Sequence, residues 1–323
     1  MTEVGISITK IKEKLAEVGY LADDYISTAV MLADKLAKPI LVEGPAGTGK
    51  TELAKASAKA LSLPLIRLQC YEGLDEAKAL YEWDYAKQLL AIQIAKFTDS
   101  AEAFAYEDAD IDILTNGHLQ NLSSSERLLS KDIEKSIFSE DFLLPRPLLQ
   151  AIRSEQRVVL LIDEVDRIDV EIEALFLEIL SDYQVTIPEL GTLKATNTPL
   201  VFLTSNDTRD LSEALKRRCL YLHLDYPSGE REKAIVKSHL PDMDEYLVSE
   251  IVRFVGLLRE MDLEKPPSVS ESLDYASALM ILAARHITDD VARDAINVLL
   301  KYNSDILKVQ AFMANKESNN FLS

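Results

Sequence analysis

Apolar side chains recur at three- and four-residue spacing through Ile26, Ala29, Val30, Ala33 and Leu36. That period lays one apolar stripe along a helix, so residues 1–38 read as an amphipathic helical lead-in. Pro39 ends the pattern, and Ile40, Leu41 and Val42 form a short run with no polar interruption, the mark of a buried strand. A glycine-rich loop, Glu43–Gly49, follows, and helical spacing resumes from Lys50 to about Leu61. Leu65–Gln69 is the next expected strand.

Residues 71–140 are less regular. The spacing from Tyr81 to Phe97 predicts a helix, carried by Leu89, Leu90, Ile92, Ile94 and Ala95. An insertion is expected at about 97–140, and its stretch 99–132 is polar and acidic enough for a surface loop. A helix is expected from Pro145 to Ile152, then a strand at Val158–Ile162 and another helix from Val170 to Ser181. Gln184–Ile187 and Thr192–Ala195 flank Pro188-Glu189-Leu190-Gly191 as a hairpin, and Leu200–Thr204 and Leu220–Leu224 are further strands. Strands alternating with helices predict an α/β fold, a parallel sheet with helices on both faces. At Tyr226-Pro227-Ser228 the texture turns almost wholly helical, with Ser228 placed as a helix N-cap. The expected domains are the lead-in 1–38, an α/β domain over 39–227, and a smaller all-helical lid over 228–323.

Composition narrows the function classes. The 323 residues are 47% hydrophobic and 28% charged, enough for a sizeable core. The formal net charge of -19 repels phosphate backbones and anionic lipid, so neither nucleic acid nor membrane is an expected partner. Cys70 and Cys219 stand far apart with no CxxC pair, as in a reducing compartment. The N-terminus has no apolar signal-peptide core, and no apolar run approaches the ~18 residues of a membrane span. A cytoplasmic protein is the expectation.

The chemistry starts at the glycine loop. Gly44-Pro45-Ala46-Gly47-Thr48-Gly49-Lys50-Thr51 fits G-x-x-x-x-G-K-[ST] in full, between a strand and a helix. Such a loop bends its backbone N–H groups around phosphates, with the positive end of the following helix dipole behind them. In this reading ATP is the ligand, Lys50 bridges its β- and γ-phosphates, and Thr51 ligates Mg2+. The apolar strand before Asp163-Glu164 supplies a second element: Asp163 to hold Mg2+ through water, Glu164 to polarise the attacking water. Asn206, just past the strand Leu200–Thr204, is placed to orient that water. Lys216-Arg217-Arg218-Cys219 precedes the last strand, and Arg218, or else Arg217, is the candidate to reach the γ-phosphate of a neighbouring subunit.

Together GPAGTGKT, VVLLIDEVDR, FLTSN and ALKRRCLY resemble an AAA+ ATPase. VEIEALFLEILSDYQVTIPELG (170–191) is similar to the MoxR group, and PRPLLQAI (145–152) and LQCYEGLDEAKALYEWDYAKQLL (68–90) resemble its branch encoded near carbon monoxide dehydrogenase. The resemblance implies a homo-oligomeric ring, usually a hexamer. It also implies a von Willebrand factor A-domain partner and a protein client that is remodelled or matured, often by insertion of a metal centre. Pro266–Ser277 matches a family motif that often carries a sensor-2 arginine; here serine fills that position, and Arg285 is only a distant substitute. Two rival functions follow the same motifs: a monomeric P-loop switch or kinase, and a DNA-dependent AAA+ machine.

Overall fold

The computed structural model describes residues 8–93, 137–287, 290 and 294–316. The acidic stretch 99–132 and the end of the helix expected to reach Phe97 lie outside the described residues. Five parallel strands form the main sheet in the order β2-β5-β8-β1-β9. They are β1 (Ile40–Glu43), β2 (Leu65–Gln69), β5 (Val159–Asp163), β8 (Leu200–Ser205) and β9 (Leu220–His223). In register, Leu41 lies between Leu203 and Tyr221, and Gln69 lies beside Asp163.

The sequence pattern follows from this order. β1, β5 and β8 are inside the sheet and buried along their whole length, which is why they read as unbroken apolar runs. β2 and β9 are its edges and keep exposed positions, so Arg67, Gln69 and His223 are tolerated there. Helix Lys50–Ala60 buries Leu53, Ala54 and Ala58 against Val159, Leu161 and Phe202, and the lead-in adds Ile11, Leu15, Ile26 and Val30 to the same core. Each Leu, Ile, Val or Phe side chain in this core contributes about 1.5–3 kcal/mol by leaving water, and each alanine methyl less. The lead-in consists of two helices, Ile8–Glu17 and Asp24–Leu36, the second N-capped by Asp23. Leu36, expected on the buried stripe, is exposed at the helix end, one residue before Ala37 turns left-handed.

The described chain divides into two compact units, 1–72 with 157–168 and 199–323, and 73–156 with 169–198. The first holds the sheet and the C-terminal helices Gly229–His239, Glu245–Glu260, Val269–Ile281, Ile296–Leu299 and Asn303–Lys316. These helices share a core of Ile251, Phe254, Leu258, Tyr275 and Leu279. Inside it, Glu232 (1% exposed side chain) receives both terminal nitrogens of Arg259, at 2.7 and 2.9 Å, and the Ser272 hydroxyl at 2.8 Å. A buried charge is tolerated only when paired and hydrogen-bonded in this way.

The second unit corrects two expectations. Tyr81–Trp83 is not helical but a strand, β3, paired antiparallel with β4 (Leu143–Pro145); helix begins only at residue 85. Strand geometry puts Tyr81 and Trp83 on one face, where they meet edge-on at 6.1 Å and Trp83 packs on Phe138. The helix expected from Pro145 starts at Pro147, because Pro145 belongs to β4 and Pro147 fits the first helical turn. Helix Val170–Asp182 and the hairpin β6 (Gln184–Ile187) with β7 (Gly191–Lys194) also belong to this unit.

Candidate active site

The glycine loop leaves β1 at the carboxyl end of the sheet, where the strand order reverses around it, a position that suits ligand binding in open α/β sheets. Gly44 and Gly47 both have positive φ, 148° and 74°. A Cβ on Gly44 would lie 2.0 Å from the Leu224 carbonyl oxygen, and one on Gly47 would lie 2.1 Å from Ser268 Oγ. Both must therefore be glycine on contact grounds as well as conformational ones. Pro45, Gly47, Thr48 and Gly49 are half-buried and Ala46 is exposed. Thr48 Oγ1 donates to Pro45 O at 2.9 Å, bracing the turn. Lys50 is buried, and its Nζ donates to Gly44 O and Pro45 O, 2.7 Å each, so the ammonium sits within the loop. Burial holds its pKa below the usual lysine value, opposed by the charges of Asp166, Asp163 and Glu164.

The two acids end β5. Asp163 is 3% exposed. Its Oδ1 accepts from Thr51 Oγ1 at 2.9 Å and Thr204 Oγ1 at 2.5 Å, and its Oδ2 from Arg67 Nη2 at 2.6 Å. Glu164 adopts a left-handed φ of 59°, rare for a side chain of this size, and its N–H donates to Thr204 Oγ1 at 2.9 Å. Thr204 thus links both acids. The Glu164 carboxylate is half-exposed and pairs with Arg167 Nε at 2.9 Å. Thr51 hydroxyl and Asp163 carboxylate are hard oxygen donors side by side, which fits a Mg2+ ion carried with a triphosphate.

Asn206 follows β8 directly, and its N–H donates to Asp166 Oδ2 at 3.2 Å. The same oxygen accepts from Thr208 N at 3.1 Å and Thr208 Oγ1 at 2.5 Å. Burial alone would raise the Asp166 pKa, but these donors outweigh it and hold the carboxyl below its usual range. Asp166 Oδ1 is buried with no hydrogen-bond partner among the described residues. Arg217 and Arg218 end helix Glu213–Arg218. Arg217 is tied to Glu213 at 2.5 Å, whereas Arg218 is exposed and makes no ion pair among the described residues. Lys50, Thr51, Asp163, Glu164 and Asn206 are thus brought to one end of the sheet. Arg67 and Thr204 bond to the acids at the tip of β5, and Thr208 shares Asp166 with Asn206; nothing local in the sequence marks these polar residues, because their partners lie 40 or more positions away.

A family model of the AAA domain (dynein-related subfamily) matches residues 39–219, more than half of the chain. This chain belongs to that AAA-domain family. Among its relatives, an uncharacterized protein of Staphylococcus epidermidis is 25% identical over 292 residues, 88% of this chain and 92% of that one. An uncharacterized protein of Staphylococcus aureus is 26% identical over 254 residues, 76% and 77% of the two chains. Among solved structures, the Thermotoga maritima RuvB Holliday junction branch migration motor aligns with TM-score 0.43 and 17% identity, over 89% of this chain and 69% of that one.

Beside the loop of this AAA domain lies a cavity of about 740 Å³, lined by Tyr20, Thr48, Tyr226, Ile235, Ser270 and Leu273 among others. Its walls come from the lead-in, the glycine loop and the C-terminal helices. Arg231 ties the first of these to the last, donating to Asp23 Oδ2 at 2.7 Å and Leu21 O at 2.8 Å. Helix Val269–Ile281 begins against Gly47 with a capping box, Ser268 and Glu271, and with Ser270. Arg285 lines a different cavity, with Asp242, Asp244 and His286. Among the described residues no helix is long and apolar enough to cross a membrane.

Proposed function

We propose that this AAA-domain protein hydrolyses ATP to ADP and phosphate, using Mg2+, in an oligomer whose active sites are completed at subunit boundaries. One observation carries the reading: five groups of complementary chemistry converge on the carboxyl end of the sheet, while Arg218, at the end of helix Glu213–Arg218, is exposed and makes no ion pair among the described residues. Loop amides and Lys50 bind and orient the β- and γ-phosphates. Mg2+ would be held by Thr51 and, through water, by Asp163, and supplies charge neutralisation at the phosphates. Glu164 accepts the proton of the water that attacks the γ-phosphorus as the bond to the ADP oxygen breaks. Asn206 orients that water. The nucleobase and ribose fit the apolar and polar walls of the 740 Å³ cavity.

At a finer level the reading is a MoxR-type remodelling motor, working as a ring, usually a hexamer, in the cytoplasm. Its partner would be a von Willebrand A-domain protein and its client another protein, with metalloenzyme maturation as the task. The motifs over 145–152 and 170–191 support this choice. Mixing two inactive variants tests the subunit boundary. Glu164→Gln lacks a working base but offers its arginine; Arg218→Ala lacks the arginine but keeps its base. Their mixture is expected to turn over ATP faster than the sum of the two alone. A mixture no faster than that sum, with wild-type specific activity independent of protein concentration, would overturn the oligomeric mechanism.

A further inference from the structure

Asp163 carries a cation of this chain's own. Arg67, on edge strand β2, reaches along the sheet so that its Nη2 lies 2.6 Å from Asp163 Oδ2 and 2.5 Å from Gln69 Oε1. The two partners differ sharply in environment: the Asp163 side chain is 4% exposed and that of Arg67 48%. An ionised carboxylate offers about four acceptor positions. Two are taken on Oδ1 by Thr51 and Thr204, and one on Oδ2 by Arg67. What remains for a metal-bound water is the second position on Oδ2, beside the guanidinium.

We infer that Arg67 lowers the affinity of this site for a divalent cation, so that the metal is kept with a triphosphate and released with a diphosphate. This rests on the ATP–Mg2+ reading above. Two routes lead to the same result. If the guanidinium stays, it repels the incoming cation from beside the carboxylate, an effect that water screens in part because Arg67 is half-exposed. If it leaves, the metal must replace an ion pair; Arg67 is half in water, so that exchange is open to it. Either way the metal needs compensating negative charge from elsewhere. A γ-phosphate supplies it, and its loss on hydrolysis removes it.

Mn2+ binding, read by electron paramagnetic resonance in the presence of ADP, tests this directly. Arg67→Gln and Arg67→Ala are expected to bind Mn2+ about fivefold more tightly than wild type, as suits an ion pair with a half-exposed arginine. Arg67→Lys keeps the charge and is expected to stay near wild type. With a non-hydrolysable ATP analogue the gap between the neutral variants and wild type narrows. Unchanged or weaker Mn2+ binding in both neutral variants overturns the inference, as does equal tightening in the lysine variant. Nucleotide binding without metal, followed with a fluorescent ADP, separates the two levels. If wild type binds no nucleotide, the ATP reading itself fails; if it binds and the neutral variants do not tighten on Mn2+, only the role of Arg67 falls.

Discussion

Gly47 shows how closely the loop is built around its neighbours. A methyl group there would overlap Ser268, 2.1 Å from Oγ and 2.4 Å from Cβ, on a backbone with φ of 74°. Gly47→Ala is therefore expected to weaken nucleotide binding by at least about tenfold, since left-handed strain of about 1–2 kcal/mol adds to the clash; a fluorescent-nucleotide titration reads it. Glu164→Gln keeps the shape of the site but removes the base. Turnover should fall about 10²- to 10⁴-fold with ATP affinity retained, as shown by single-turnover kinetics. Thr208 belongs to the same scale. Its hydroxyl is one of three donors to Asp166, whose carboxyl is held below its usual range. A folded-state pKa below the unfolded one adds stability above the unfolded value, lost as pH falls through the folded value. Thr208→Val is expected to cost about 1–2 kcal/mol at neutral pH, and the gap should close in denaturation curves taken below the ordinary carboxylate range.

Helix Val269–Ile281 is the element that decides how the C-terminal helices meet the loop. Its start is held by Ser268 and Glu271, and Ser272 and Pro267 next to it bond to Glu232 and Arg259. Arg259→Ala leaves Glu232 buried without its cation and is expected to cost about 3–5 kcal/mol, seen as a lower urea midpoint. These elements were unevenly legible. The apolar runs of β1, β5 and β8 are buried on both faces, so composition alone marks them. Tyr81–Trp83 is too short for a period to show, and its strand state depends on Leu143–Pro145, some 60 positions later. Likewise, Gly44 and Lys50 are recognisable from spacing, whereas Arg67 and Asp166 acquire meaning only from the partners that the sheet brings to them.

At the scale of the whole molecule, the net charge of -19 and the exposed Arg218 point in different directions. Like charge opposes assembly of identical chains, while an exposed arginine with no ion pair among the described residues favours a neighbour that offers a triphosphate. Specific ATPase activity is thus expected to rise with protein concentration, and Arg218→Ala should abolish that rise with the melting temperature unchanged. Arg217→Ala, which only frees Glu213, should leave the rise in place. Contiguous residues are enough to specify the phosphate loop, the acids at a strand tip and the alternation of strands and helices. Which charges meet depends instead on the closed fold. Ion pairing and hydrogen bonding fall off within a few ångströms, and β2 reaches β5, or the loop reaches Ser268, only once the sheet and helices have closed around them.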